Sequence, residues 1–176
     1  MADPERTLRM TGRTLPACVA ILIAATGCAT PGGGRTTFHD PNMDFSLVRS
    51  VAVLPFANLT TTAKAEDRVR DVFMTMLQAT GALYVLPPGE VARGISRASL
   101  PNPVAPTAEE VVRLAKNLDV DVVITGSVLE YGEVRSASAT ANVVSVSAQM
   151  LEGQTGRVVW STSATRGGIG AGKRIF

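Results

Sequence analysis

Residues 120–131 read VDVVITGSVLEY. Val, Ile and Thr dominate this run, and turn-forming residues precede it, so it is a buried strand rather than a helix. The segments after it make it the first strand of a meander. Residues 142–151, NVVSVSAQML, alternate apolar and small polar side chains, the period-two pattern of a strand with unlike faces. Glu152-Gly153-Gln154-Thr155-Gly156 is a turn, and residues 157–165, RVVWSTSAT, return as its hairpin partner.

Upstream, the pattern changes to helices. Thr107-Ala108-Glu109-Glu110 fits a capping box, with Thr107 at the helix end and Glu110 reaching back; the helix runs to about Leu118. Glu109 and Glu110 therefore have a structural role. The Pro-rich connector 100–106 and a short helix over 89–98 come before it. Residues 83–86 form a short strand stopped by Pro87-Pro88. A helix spans 64–80, where Ala65, Val69, Val72, Phe73, Met76 and Leu77 recur at helical spacing. Glu66 and Asp67 suit its positive amino end, and Gly81 is placed to stop it. Residues 47–56, LVRSVAVLPF, read as one buried strand. The order β-α-β-α-α-β-β-β predicts an α/β (α+β) fold: a mixed sheet, parallel at the front and a meander at the back, with helices packed on it.

The first 28 residues differ in kind. Arg6, Arg9 and Arg13 precede an apolar run over 15–25, LPACVAILIAA, and then Thr26-Gly27-Cys28. The run is about half the roughly 20 residues a membrane span needs, which suits a signal peptide. Ala25-Thr26-Gly27-Cys28 resembles the bacterial lipobox. That resemblance implies cleavage before Cys28, lipidation of its thiol by palmitate-type acyl chains, and, since Ala29 is the next residue, sorting to the outer membrane facing the periplasm. Met10 offers a second start for the same signal. Residues 1–27 are then signal peptide, 28–44 lipidated Cys and flexible tether (ATPGGGRTT at its front), and 45–176 a single domain. Cleavage lowers the net charge from +2 to +1 and removes Cys18, leaving no free thiol.

Composition narrows the chemistry. The chain has 176 residues, 45% hydrophobic, with 17 basic and 15 acidic side chains; this balance disfavours nucleic acid as a partner. One His and two Cys are too few for a zinc site, and His39 in a Gly/Thr-rich stretch reads as a solvated loop residue. Asp119 and Asp121 are the candidates for acid/base work, although a helix-to-strand turn uses Asp for ordinary reasons. Residues 167–174, GGIGAGKR, fit G-x-x-x-x-G-K but end on Arg174 where a P-loop needs a hydroxyl for Mg²⁺. The preceding strand closes a hairpin rather than opening a βα unit. No nucleotide and no other cofactor is expected beyond the lipid on Cys28. The sheet so predicted lacks a closing helix after this loop, and the expectation is a sequence truncated before one.

The stretches VAVLPFAN over 51–58, DVVITGSV over 121–128 and GRVVW over 156–160 resemble the CsgG/LpoB-like superfamily of bacterial lipoproteins. These are the curli-secretion and penicillin-binding-protein activator lipoproteins, whose domain is like the amino-terminal domain of TolB. The resemblance implies a non-catalytic domain that binds envelope proteins, either a peptidoglycan synthase or copies of itself. The hairpin over 120–151 lacks the aromatic girdles of a membrane-crossing barrel, which favours the activator over the curli-secretion type. The loop over 57–63, with Asn58, Thr60, Thr61 and Thr62, leaves the first strand where α/β sheets tend to bind partners; a solvated loop is the plainer reading. Phe56, Phe73 and Trp160 are expected in the core.

Overall fold

The computed structural model describes residues 35–136 and 139–167, all within one compact unit, Pro31–Phe176. The strands are β1 (Arg35–His39), β2 (Ser50–Val53), β3 (Ala57–Asn58), β4 (Tyr84–Val85), β5 (Val122–Ser136), β6 (Ala139–Glu152) and β7 (Val158–Gly167). The helices are α1 (Ala65–Ala79), α2 (Pro88–Ala98) and α3 (Ala108–Leu118). The sheet runs β1-β7-β6-β5-β2-β4, and β3 continues the β2 side of β5. β2 is parallel to β4 and to β5, whereas β5, β6, β7 and β1 are successively antiparallel. This is the mixed sheet expected of the sequence.

Local chemistry sets the element ends. Thr107 Oγ1 accepts from Glu110 N–H at 3.3 Å, and Thr107 N–H donates to Glu110 Oε2 at 2.8 Å, which completes the capping box of α3. Pro88 opens α2, where its missing N–H has no partner to lose. Gly81, at φ +64°, turns the chain after α1 and donates to Gln78 O at 3.0 Å.

The core lies on both faces of the β2–β5 centre. On one face Ala52, Leu54, Val123 and Leu151 pack under α2 and α3 through Val91, Val111, Leu114 and Ala115. On the other, Val51, Val53, Val122 and Ile124 meet α1 through Val69, Phe73, Met74 and Leu77. Fully buried aliphatic side chains of this kind contribute about 1.5–3 kcal/mol each relative to exposure. Gly126 belongs to the α1 face because the Phe56 ring lies where its Cβ would stand, at 2.8 Å. Phe56 in turn packs on Phe73, ring centroids 5.8 Å apart. Phe56 is buried as expected, while Phe73 and Trp160 are only partly buried.

Two expectations are corrected. Residues 47–56 are not one strand: Phe45–Leu47 is a 3₁₀ turn, β2 covers Ser50–Val53, and the ladder breaks at Pro55 before resuming as β3. Proline has no N–H to give the ladder. Residues 35–39, expected in the tether, are instead part of the sheet. Arg35–His39 pairs along β7, from Arg35 opposite Ala164 to His39 opposite Trp160. His39 is thus an edge-strand residue, not a loop one. Asp40 N–H then donates to Val159 O at 2.8 Å, and Asp40 Oδ2 meets Arg157 Nη2 at 3.0 Å. β1 carries no strand signature in sequence because all five of its side chains are exposed, so it has no alternation to read. The expected signal peptide, Cys28 and residues 168–176, with most of GGIGAGKR and the closing helix expected after it, lie outside the described residues.

Candidate functional site

The two candidate acids have turn roles. Asp119 caps α3 in the left-handed conformation, φ 56°. Asp121 Oδ2 accepts from Arg49 N–H at 2.8 Å, Ser50 N–H at 2.9 Å and Ser50 Oγ at 3.0 Å, tying the entry of β2 to that of β5. The Arg49 N–H, with those of Ser50 behind it, holds the Asp121 carboxyl below the usual carboxylate range. No described group of three His, Cys, Asp or Glu side chains is placed to hold a metal ion.

The loop over 57–63 is bonded to itself. Asn58 Oδ1 accepts from Thr60 N–H at 2.9 Å and from Thr60 Oγ1 at 2.8 Å, and Asn58 Nδ2 donates to Thr62 O at 2.9 Å. Thr62 Oγ1 donates to Tyr131 O at 3.0 Å, which pins the loop to β5. Of the four residues, Thr61 is the one left exposed.

A broad apolar concavity lies elsewhere. α1 packs mainly over β3, β4 and β5, and Val146 and Met150 of β6 reach the edge of the same cluster. On its uncovered flank Arg68, Val72 and Met76 stand one above another at four-residue spacing. Val72 is 60% exposed and Met76 67%. The floor beside them is sheet. Val144, Val146 and Ala148 of β6 lie opposite Arg166, Ala164 and Thr162 of β7, so all six share one face. Together with Val69, Phe73 and Tyr131 they line a groove of about 510 Å³.

The reverse side of the same strands is polar: Ser145, Ser147 and Gln149 on β6, and Ser161, Ser163 and Thr165 on β7. Ser145 and Thr165 hydroxyls meet there at 2.8 Å. The two faces therefore differ in chemistry, and among the described residues the apolar one is only partly covered. Sequence carries part of this signal: residues 142–151 alternate, and the apolar arc of α1 is wider than a helix needs to cover one strand pair. How far α1 reaches across the sheet is not written in either pattern.

Residues 42–169 match the GNA1162-like lipoproteins, and the chain belongs to that family. A search of the curated proteins found no match. The fold is similar to that of three solved proteins. Lipoprotein GNA1162 from Neisseria meningitidis is 21% identical, with a TM-score of 0.55 over 70% of this chain and 85% of that one. A PelC dodecamer from Paraburkholderia phytofirmans is 20% identical, TM-score 0.52, over 77% and 81%. The LpoB C-terminal domain from Salmonella enterica is 17% identical, TM-score 0.50, over 66% and 81%. At these identities the likeness is one of fold. It carries the LpoB part of the resemblance read from the sequence and not the curli-secretion part.

Proposed function

We propose that this chain is an outer-membrane-anchored periplasmic lipoprotein that acts without catalysis, as a protein-interaction module accessory to envelope assembly, in the manner of a penicillin-binding-protein activator. The observation that carries this reading is the apolar groove that the described residues form between α1 and the β6–β7 floor. Apolar side chains left in water at a concave surface are the usual mark of a partner site. The lipoprotein family and the LpoB-like fold support it. On this reading Cys28 carries the lipid, and only residues 29–34 separate it from β1. At about 3.5 Å per residue that tether reaches roughly 25 Å. The domain works close to its own membrane, so a partner must come to it. Of the loop at Asn58, Thr60, Thr61 and Thr62, only Thr61 is exposed to offer a polar contact.

The test is cross-linking in the native envelope, then purification of the lipidated protein and mass spectrometry of the adducts. A stoichiometric adduct with a peptidoglycan synthase or another envelope machine is the expected result. Cys28→Ser should release the protein from the membrane fraction and remove that adduct. Of the second reading, an oligomeric secretion component of curli-secretion type, only the oligomeric part is favoured by an observation, the likeness in fold to a protein solved as a dodecamer. A ladder of self-adducts with nothing else attached would establish it and sink the activator reading.

A further inference from the structure

We infer that β1 is a releasable strap. It holds a length of tether on the sheet edge and gives it back under load while the rest of the domain stays folded. The inference rests on the reading of Cys28 as the lipid anchor and of the chain as an interaction module. It states how far the anchored domain reaches.

β1 differs from the other strands in what holds it. Its side chains are all exposed among the described residues. The opposite edge strand, β4, is shorter, yet it sinks Val85 into the core, and β7 sinks Val159. Composition limits what any further cover could add. Of Arg35, Thr36, Thr37, Phe38 and His39, Phe38 alone is large and apolar. A segment laid over β1 would bury one such side chain.

What remains is the backbone ladder to β7 and a few exposed bonds. Thr37 Oγ1 and Thr162 Oγ1 stand 3.2 Å apart, and Thr162 Oγ1 donates to Thr36 O at 3.0 Å. Exposed hydrogen bonds exchange for bonds to water at little net cost. A segment with few buried apolar contacts opens at a free energy well below that of global unfolding. A pull on the tether falls first on Arg35 and its pairing with Ala164, at the outer end of the ladder.

The opening has a stop. Asp40 N–H donates to Val159 O at 2.8 Å, its Oδ2 meets Arg157 Nη2 at 3.0 Å, and its Oδ1 accepts from Asn42 N–H at 2.9 Å. Just past it Met43 packs on the core and Val48 is buried in it. Peeling therefore ends at Asp40, before any core side chain moves. The free chain after Cys28 grows from residues 29–34 to residues 29–39. At about 3.5 Å per residue its reach grows from roughly 25 Å to roughly 40 Å.

The test uses the lipidated chain in vesicles. Amide hydrogen exchange read by mass spectrometry should be at least about tenfold faster over residues 35–39 than over 146–151 of β6. Chymotrypsin can cut after Phe38 when β1 is off the sheet, and such cleavage tracks the open population. It should release a domain beginning at His39 whose thermal melt matches that of the uncut chain. Thr37→Cys/Thr162→Cys puts thiols where the facing hydroxyls stand. Its disulfide should slow both exchange and cleavage at least about tenfold, and reduction should restore them. In the native envelope the same disulfide should lower the yield of partner adducts several-fold against Thr37→Cys alone, because a tether too short to span two sites gives almost no contact.

Exchange over 35–39 as slow as over 146–151 in the wild type overturns the inference without any variant, and makes β1 a fixed guard of the β7 edge. A released domain that melts far below the uncut chain overturns it too, since β1 then belongs to the core. So does an adduct yield that the disulfide leaves unchanged, because the strap then opens without serving reach. The two readings fail separately. No adduct in the wild type rejects the accessory role, while exchange, cleavage and the disulfide still decide whether β1 releases.

Discussion

Gly156 and Gly81 both occupy the left-handed region, at φ +70° and +64°, yet substitution by Ala should affect them very differently. Gly81 has no neighbouring atom within 4 Å of where a Cβ would stand. Gly156 is buried, and there a Cβ would meet the carbonyl oxygen, Cα and carbonyl carbon of Ala108, all within 2.8 Å. These are backbone atoms at the first residue of α3, held by the capping box, and they cannot rotate away. The left-handed conformation costs an L-residue about 1–2 kcal/mol at either site. Reduced freedom of the unfolded chain returns about 0.4–1 kcal/mol of it. Gly81→Ala should thus cost about 1 kcal/mol. Gly156→Ala adds a backbone displacement of about 1–3 kcal/mol and totals about 2–4 kcal/mol. At about 2–4 °C per kcal/mol for a domain near this size, Tm falls by roughly 2–4 °C in Gly81→Ala and by roughly 4–16 °C in Gly156→Ala. Thermal melts monitored by far-UV circular dichroism measure both. Equal falls in the two variants would refute the close approach of the 152–157 turn to α3.

Three further outcomes are expected. Thr107→Ala removes the cap of α3 and should cost about 1 kcal/mol, read as a lower urea midpoint at unchanged slope; no shift would mean the capping box contributes nothing in solution. Leu114→Ala opens a cavity at a fully buried site under the sheet and should cost about 2–5 kcal/mol in the same assay; a loss below about 1 kcal/mol would place that side chain outside the core. Asp121 has a folded pKa below its unfolded value, so its stabilisation is full above the unfolded carboxylate pKa, about 3.9, and is lost as pH falls through the folded value. Wild type should therefore lose more stability between about pH 6 and pH 3 than Asp121→Asn does, and parallel pH profiles would refute the bonding of Asp121 to residues 49 and 50.

Particular residues show why some of the fold is legible in sequence and some is not. The boundaries of α1, α2 and α3 agree within two residues because caps and stops are local: Thr107 with Glu110, Pro88, and Gly81 each act within one turn of chain. The long strands β5, β6 and β7 are marked by β-branched runs and a turn of fixed length. β1 is not, because a fully exposed edge strand gains its order from the backbone of β7, 125 residues away at the Thr37–Thr162 pair. Asp121 resembles a candidate acid in sequence because its partners, Arg49 and Ser50, are remote along the chain and adjacent only across the β2–β5 pairing.

The sequence by itself determined the order of elements, the mixed sheet and the two-faced character of β6, since each arises from periodicity and local backbone chemistry. Only the tertiary structure decided that β1 joins the sheet, and that α1 packs mainly over β3, β4 and β5. From that placement comes the groove that the described residues form over Val144, Val146 and Ala164. Periodicity says which side chains share a face; how much of that face a neighbouring helix covers depends on where the helix packs, and packing is a property of the folded chain.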